Sequence, residues 1–230
     1  MIGTELLDDP RADPLAVDRE LRDIARLNAL FGGTRAVVRE LAPFFARGAE
    51  RGDDHWTLLD IGTGLGDIPR AAARAARRHG LTLCLVGVER NRTAARLART
   101  SEPGVPLASI LADGGVLPLA SRSVDVIVAS QVLHHVPSAT ATRWVAEFDR
   151  VALRAVVVAD LRRSRVAMAG VWAACWGLAM NAVTRHDAVL SLRRGYTRPE
   201  FDALLAQAGV PARSRQRAGF RIVAAWEPAA

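Results

Sequence analysis

The chain has 230 residues, of which 50% are hydrophobic, 5% aromatic and 24% charged. This composition suits one folded domain with a sizeable core, residues 1–230, and excludes a disordered or fibrous chain. The formal net charge is +7, but the basic residues are arginines dispersed along the sequence. Because nucleic-acid-binding proteins usually gather such charge on one face or tract, a small-molecule partner is favoured over nucleic acid.

The cysteines and the N-terminal residues favour a cytoplasmic location. Cys84 and Cys175 show neither metal-binding nor disulfide spacing, which fits reducing surroundings. Residues 1–14 are acidic and polar, unlike a signal peptide. The most apolar helical run, residues 166–180, is shorter than the ~20 residues that span a bilayer. Peripheral contact with a membrane, contact with an apolar substrate and formation of a homodimer all stay open.

Two helices are predicted ahead of the first strand. The first begins at Asp13-Pro14, because proline suits the first helical position, and the second begins at Thr34. Together they make residues 1–55 an N-terminal helical cap. This cap is expected either to cover a cofactor and substrate or simply to pack on the sheet.

Residues 56–160 alternate between apolar strands and helices, which predicts an α/β fold with a doubly wound parallel sheet. Four acidic residues end successive apolar runs: Asp60, Glu89, Asp113 and Asp160. The carboxyl ends of parallel strands meet at one edge of a sheet, so these four side chains should face one crevice.

The strand–helix alternation pauses after Asp160. Residues 161–196 contain two helical stretches, 166–180 and 186–194, and predict a helical lid over the carboxyl edge of the sheet. Thr197 and Glu200 form a capping-box pattern that opens one more helix. Two strands joined near Gly219 complete a closing segment, residues 197–230.

A glycine-rich loop follows the first strand. Residues 60–67 place glycines at 62, 64 and 66, directly after the acid Asp60. Glycine permits positive φ and a close approach of ligand to backbone. Asp67 is predicted to cap the next helix, which would add a helix N-terminus to the loop. The spacing differs from the G-x-G-x-x-G dinucleotide pattern, which disfavours a dehydrogenase.

Several segments, in order, resemble class I S-adenosylmethionine-dependent methyltransferases. Residues 60–66 resemble the first motif of that family, and residues 112–119 resemble the segment whose aspartate binds adenine. Residues 123–136 are similar to the fourth strand of the ubiquinone-biosynthesis-type enzymes. The resemblance implies a Rossmann-like fold with a mostly parallel seven-stranded sheet and an antiparallel last strand. It also implies S-adenosylmethionine as the cofactor.

The resemblance further implies roles for individual residues. Asp60, Gly62, Thr63 and Gly64 would hold the methionine portion of the cofactor. Glu89 would bind the ribose beside Arg90, and Asp113 with Gly114 would bind the adenine. Ser130 and Gln131 would line the cofactor near its methionyl end.

Methyl transfer to a weakly acidic group calls for a base, and the ordinary pKa of histidine suits that work. His134 and His135 follow the fourth strand, where the transferred methyl should lie, and His186 lies in the predicted lid beside an aspartate. Each histidine has a purely structural alternative, but at least one is expected to act. The candidates for substrate binding are Arg193, Tyr196 and Trp172. No metal-binding spacing appears, so no metal is predicted.

The favoured function is methylation of a small aromatic or phenolic acceptor of the quinone or polyketide kind, most simply at oxygen and in secondary metabolism. Methylation at carbon or nitrogen stays open. A nucleic-acid methyltransferase is the first alternative, but residues 130–133 lack the Asp/Asn-Pro-Pro-aromatic tetrapeptide and neither cysteine follows a proline. A cofactor-binding partner subunit without catalysis is the second.

Overall fold

The structure is a computed structural model that describes residues 3–9 and 11–229. Its helices and strands alternate over the middle of the chain, and helices alone precede the first strand. The helices are α1 (Pro14–Leu30), α2 (Gly33–Glu50), α3 (Asp67–Arg77), α4 (Arg92–Thr100), α5 (Ser138–Val151), α6 (Arg165–Gly177), α7 (Ala182–Arg194) and α8 (Arg198–Gln207). The strands are β1 (His55–Ile61), β2 (Thr82–Glu89), β3 (Ala108–Leu111), β4 (Val124–Ser130), β5 (Ala152–Leu161), β6 (Arg215–Arg217) and β7 (Arg221–Trp226).

The seven strands form one sheet in the order β3-β2-β1-β4-β5-β7-β6. Strands β1 to β5 are parallel, whereas β7 runs antiparallel to both β5 and β6. The predicted fold is therefore confirmed. The chain builds β1, β2 and β3 outward on one side and then crosses to β4. In open α/β sheets, ligands bind at this reversal, beside the carboxyl ends of the central strands.

Hydrophobic side chains cover both faces of the sheet, as a doubly wound fold requires. On one face the central strands pack against α5 and α8, with Phe148 and Phe201 fully buried. On the other face they pack against α2 and α3, around Phe45. The strands are buried on both sides, which explains why they read as continuous apolar runs rather than alternating ones.

Two predicted helix caps are wrong. Asp67 is the first residue of α3, and the cap is Gly66 in the left-handed conformation (φ 75°). Thr34 lies within α2, which follows Gly32 at φ 71°. In both cases a glycine with positive φ turns the chain into the helix, and the polar residue lies one position or more inside it. The Asp13 cap and the Thr197–Glu200 capping box are confirmed.

The N-terminal helices and the helices after β5 come together over one edge of the sheet. α6 and α7 pack on each other, and α7 also contacts α1. A separate apolar cluster joins them, with Leu27 from α1, Val171 and Cys175 from α6, and Leu192 from α7. Among the described residues, no helix is both long and apolar enough to cross a bilayer.

Candidate active site

A cavity of about 260 Å³ lies at the carboxyl ends of the central strands, beneath α1, α6 and α7. It occupies the reversal of strand order between β1 and β4, where a ligand site is expected in this kind of sheet. Nine of the ten residues proposed from sequence to bind the cofactor line it. They are Asp60, Gly62, Thr63, Gly64, Glu89, Arg90, Gly114, Ser130 and Gln131.

The glycine loop forms one wall of the cavity with its backbone. Gly62, Gly64 and Gly66 all have positive φ, at 66°, 54° and 75°. A Cβ at position 62 would lie 2.3 Å from Cγ1 of Val132, so no larger residue fits there. The glycines therefore allow both the tight turn after β1 and the close packing of this loop against the segment that follows β4.

Three carboxyl groups beside the loop give this end of the cavity an acidic character. Burial, together with the neighbouring acids Asp67 and Glu89, raises the pKa of Asp60 to about 8. Glu89 is held by the N–H groups of Arg90 and Asn91, which donate to its Oε1 over 2.9 and 3.2 Å. Such a cluster of acceptors suits a ligand that carries positive charge and hydroxyl groups.

Gln131 is the residue that connects the two sides of the cavity. It has an unusual positive φ of 58°, and strained backbone of this kind is concentrated at functional sites. Nη1 of Arg221 donates to its Oε1 over 2.9 Å, and its Nε2 donates to Asn28 of α1. Arg221 and Asn28 also line the cavity and were not predicted, because neither belongs to a recognisable motif.

Asp113 is the predicted cofactor residue that does not line the cavity. Its side chain is exposed, and its Oδ1 accepts a hydrogen bond from the N–H of Gly115 over 2.8 Å. The adjacent Gly114 does face the cavity, and a Cβ there would lie 2.7 Å from Ile61. In this structure the carboxylate of Asp113 therefore closes a turn.

A buried histidine–aspartate pair faces the cavity from the opposite side. Nδ1 of His134 lies 2.6 Å from Oδ1 of Asp160, whose two oxygens also accept the backbone N–H groups of residues 133, 134 and 161. Burial opposes ionisation of Asp160, but His134 and these N–H donors hold its pKa below the usual value. The carboxylate is thus an acceptor, so Nδ1 of His134 donates to it, and Nε2 has no hydrogen-bond partner among the described residues.

His135 has a similar arrangement with residues near the N-terminus. Its Nδ1 lies 2.9 Å from Oδ1 of Asp8, and its ring lies 4.2 Å from that of His134. Although burial opposes ionisation of Asp8, its bonds to His135 and Arg194 lower its pKa. Burial raises the pKa of the nearby Glu5, whose Oε1 accepts from Nη1 of Arg194 over 3.0 Å.

Four other predicted site residues lie outside the cavity. His186 points to solvent, with 67% of its side chain exposed, and its Nδ1 lies 2.8 Å from Oδ1 of the neighbouring Asp187. Arg193 and Trp172 are exposed as well. Tyr196 is buried, and its hydroxyl donates to the backbone oxygen of Leu133 over 3.0 Å. Tyr196 therefore supports the turn that carries the two histidines.

Helices α7 and α1 contribute polar groups that no sequence motif predicts. Thr184 donates to Glu20 over 2.6 Å, and Glu20 and Asp187 both line the cavity. Burial raises the pKa of Glu20 to about 7. One signal was available, because Glu20 shares the apolar face of α1 with Ile24 and Leu27, where an acid is unusual.

Comparison with known proteins identifies the fold and the domain. Residues 59–157 match the methyltransferase domain family, and no curated protein matches the chain. A methyltransferase from Aquifex aeolicus is similar at 17% identity and a TM-score of 0.63, over 94% of this chain and 99% of that one.

Two further solved structures share the fold. One is an O-methyltransferase of neocarzinostatin biosynthesis, solved with S-adenosyl-L-homocysteine and 1,4-dihydroxy-2-naphthoic acid. It is 18% identical, with a TM-score of 0.65 over 97% of this chain and 62% of that one. The other is the magnesium protoporphyrin IX methyltransferase of Synechocystis, solved with S-adenosylmethionine. It is 12% identical, with a TM-score of 0.55 over 86% and 80% of the two chains.

The matched domain spans β1 to β5, the strands whose carboxyl ends surround the cavity. The chain therefore contains a methyltransferase domain and has the fold of known S-adenosylmethionine-dependent methyltransferases, of which one was solved with that cofactor and another with S-adenosyl-L-homocysteine.

Proposed function

We propose that this methyltransferase acts on a small, largely apolar acceptor and methylates it at a hydroxyl group. The observation that carries the proposal is the buried pair His134–Asp160, because His134 lines a cavity with apolar walls and its Nε2 has no hydrogen-bond partner among the described residues. An acceptor hydroxyl at that atom would meet a base already oriented to take its proton.

The cofactor fits the end of the cavity formed by the glycine loop. When bound, S-adenosylmethionine supplies an electrophilic methyl group on a positively charged sulfur. The backbone of residues 62–64 leaves room that a Cβ would fill, and the carboxyl groups of Asp60 and Glu89 suit its ammonium group and its ribose hydroxyls. The proposed cofactor-binding residues are Asp60, Gly62, Thr63, Gly64, Glu89, Arg90, Gly114, Ser130 and Gln131.

The proposed base works through its hydrogen-bonded partner. Asp160 accepts the Nδ1 proton of His134, so the imidazole can take the acceptor's proton at Nε2 and the resulting cation is stabilised by the carboxylate. Because Asp160 is also held by three backbone N–H groups, the ring orientation is fixed before any acceptor binds.

The apolar walls of the cavity favour an aromatic or otherwise apolar acceptor. The apolar residues that line it include Leu27, Phe31, Val171, Leu192 and Phe220. Apolar walls with a few polar groups are typical of sites for small hydrophobic molecules. The neocarzinostatin enzyme was solved with a hydroxylated naphthoic acid, which supports hydroxylated bicyclic aromatics as first acceptors to test.

An apolar acceptor also has a surface from which it could reach the cavity. Gly170 and Val171 of α6 line the cavity, while Trp172 and Trp176 of the same helix are 53% and 56% exposed. Arg165 lies at the start of this helix. We propose that this surface rests on an anionic lipid layer when the enzyme collects its acceptor.

The test begins with calorimetric titration by S-adenosyl-L-homocysteine and continues with methyl transfer to a panel of phenols and naphthols. Wild-type protein is compared with His134→Gln and with His55→Gln, a control at an exposed position outside the cavity. We expect His134→Gln to lower kcat at least 10²-fold without a change in cofactor affinity. Turnover by His134→Gln at the wild-type rate would refute the proposed base, and methylation only of oligonucleotides would refute the small-molecule acceptor.

A further inference from the structure

We propose that Glu5, His134 and His135 form a binding site for one divalent transition-metal ion, best suited to Zn²⁺, within the active-site cavity. The metal-binding part of this proposal is independent of the acceptor. Its catalytic part rests on the proposed hydroxyl acceptor and replaces His134 as the base, because the ion would occupy Nε2 of His134 and bind the acceptor oxygen. No motif predicts such a site, since Glu5 is far from the histidines in sequence and is brought to them only by the fold.

The three side chains present one ligand atom each to a common point. One ring nitrogen of each histidine and a carboxylate oxygen of Glu5 all lie within 4.8 Å of one another. Because Nδ1 of His134 and Nδ1 of His135 are each bonded to an aspartate, the Nε2 atoms are the nitrogens left for a metal. The two imidazole rings are 4.2 Å apart and inclined by 35°, so both Nε2 atoms can face the same side. Glu5 Oε2 lies 3.8 Å from His135 Nε2, which is too long for a hydrogen bond.

Both histidines are held in the tautomer that a metal requires. Nδ1 of His134 is bonded to Asp160 over 2.6 Å, and Nδ1 of His135 is bonded to Asp8 over 2.9 Å. Metal-binding histidines usually donate their other ring N–H to a carboxylate or carbonyl, which orients the ring and makes the ligand nitrogen more basic. Here two adjacent histidines each have such a partner, supplied by separate parts of the chain.

One of the ligand atoms is buried and has no partner among the described residues. The side chain of His134 is only 2% exposed, and its Nε2 makes no hydrogen bond. Leaving a buried acceptor unsatisfied costs about 1–3 kcal/mol. A bound ion would satisfy this atom, and so this orphaned nitrogen is an observation separate from the clustering of the three residues.

The charges around the histidines also favour a cation. Three carboxyl groups contact or approach the two rings, those of Glu5, Asp8 and Asp160. The guanidinium of Arg194 binds Glu5 and Asp8 over 3.0 and 2.9 Å. Carboxyl groups therefore outnumber the guanidinium groups that bind them around the two rings, which favours a cation. Ser191 donates to Glu5 Oε2 over 2.8 Å, which leaves that oxygen a second lone pair.

Two imidazoles and one carboxylate match the three-ligand sites of catalytic zinc, in which a fourth position stays open. Mn²⁺, Fe²⁺, Co²⁺ and Ni²⁺ accept the same donors, whereas Mg²⁺ and Ca²⁺ prefer oxygen. In a tetrahedral site the ligand atoms are roughly 3.3 Å apart, so the cluster would contract slightly on binding. An acceptor hydroxyl in the open position would ionise more readily and release its proton to solvent.

The first test is metal binding by tag-free, metal-stripped protein, with a readout that does not depend on activity. We expect calorimetry to show one Zn²⁺ per chain and no comparable binding of Mg²⁺. The variants Glu5→Gln and His135→Ala should each weaken Zn²⁺ binding at least 10-fold, while His55→Ala, at an exposed site, should not. Co²⁺ should give the intense visible absorption of a tetrahedral site. Thermal melting identifies any variant that fails to fold. If His135→Ala fails to fold, Zn²⁺ binding by Glu5→Gln, the mildest change, decides the test.

The same protein separates failure of this proposal from failure of the proposed function. Binding of S-adenosyl-L-homocysteine by the metal-stripped protein tests the cofactor site independently of the ion. The metal proposal is overturned if Zn²⁺ binds no more tightly to wild type than to Glu5→Gln, or not at all. Its catalytic part is overturned if metal-stripped enzyme with a chelator methylates at the full rate, and the base role of His134 Nε2 would then stand. Loss of turnover when the metal is stripped, with recovery on addition of Zn²⁺ or Co²⁺, would support the catalytic part of the metal proposal.

Discussion

At the level of single residues, Asp160 stands out because it accepts several hydrogen bonds at a buried strand end. It is fully buried and accepts from one imidazole and three backbone N–H groups. Asp160→Asn keeps the shape of this side chain but replaces one acceptor oxygen by an NH₂ donor. His134 would then lose its fixed tautomer, whether its Nε2 takes a proton or binds an ion.

We therefore expect Asp160→Asn to lower kcat by about 10²-fold or more while the affinity for S-adenosyl-L-homocysteine stays within a few-fold. The measurement is steady-state kinetics with calorimetry on the same preparation. Asp125→Asn is a control for loss of a partly buried carboxylate, because Asp125 binds Arg154 and the backbone of Thr57 away from the cavity. Equal losses of turnover in both variants would contradict the role given to Asp160.

Asp60 makes the ligand-free protein sensitive to pH. Its pKa is raised to about 8 by burial, against about 3.9 in an unfolded chain. Between these values the folded state holds a proton that the unfolded state has lost. The free energy of unfolding therefore falls as pH rises, by up to about 1.4 kcal/mol per unit.

Asp60→Asn should remove part of this dependence. We expect the Tm of ligand-free wild type to fall from pH 5 to pH 8, and that of the variant to fall less. At about 2–4 °C per kcal/mol the difference is measurable by calorimetric melting. The same variant should bind S-adenosyl-L-homocysteine at least 10-fold more weakly, because it cannot ionise beside a cationic group. Parallel melting curves across pH would show that Asp60 is not the titrating group.

At the level of elements, residues 5–8, ahead of α1, are tied to α7 and to the loop after β2. Asp187 of α7 accepts the N–H of Leu6 over 2.7 Å, and Arg90, after β2, donates to the backbone oxygen of Asp8 over 3.1 Å. Arg194 adds two buried ion pairs, to Glu5 and Asp8. The segment thereby joins α7 to the loop that follows β2.

Arg194→Gln should release this segment. Removing one partner of a buried ion pair costs about 3–5 kcal/mol, so we expect a lower Tm and faster proteolysis ahead of residue 13. The neighbouring Arg193→Gln is a matched control, because that side chain is exposed, and it should change stability by less than about 0.5 kcal/mol. Equal proteolysis of the two variants would mean that Arg194 does not hold the segment.

The glycine loop depends on Gly62 for both conformation and space. Gly62→Ala should cost stability and abolish cofactor binding, because its Cβ would lie 2.3 Å from Val132 and its φ is 66°. Gly80→Ala separates the two causes, since φ is 76° there but no atom lies within 4 Å. We expect Gly80→Ala to lower Tm slightly and to leave calorimetric binding intact. Normal binding by Gly62→Ala would place the cofactor elsewhere.

At the level of the whole molecule, α6 presents an exposed apolar face beside the cavity. Trp172 and Trp176 pack edge to face, and Arg185 lies over the second ring at 4.1 Å. The formal net charge of +7 would favour an anionic lipid surface. We expect co-sedimentation with vesicles that contain phosphatidylglycerol, weakened several-fold by Trp172→Ser with Trp176→Ser. Equal binding to neutral vesicles, or no effect of the double variant, would contradict this contact.

The order of strands and helices could be predicted because buried parallel strands give continuous apolar runs that helices separate. The ends of elements were harder. The Asp13 and Thr197 caps follow from side-chain chemistry, whereas Gly66 and Gly32 cap their helices through positive φ, which depends on the path of the chain.

The sequence by itself determined the fold, the methyltransferase domain and the wall of the cavity made by the glycine loop, because these depend on short segments whose chemistry is local. Only the tertiary structure decided which histidine has a buried carboxylate partner and that His186 lies outside the cavity. It alone brought Glu5 to His135 and Arg221 to Gln131. These contacts join residues far apart in the chain, and such pairings arise from packing rather than from any local pattern.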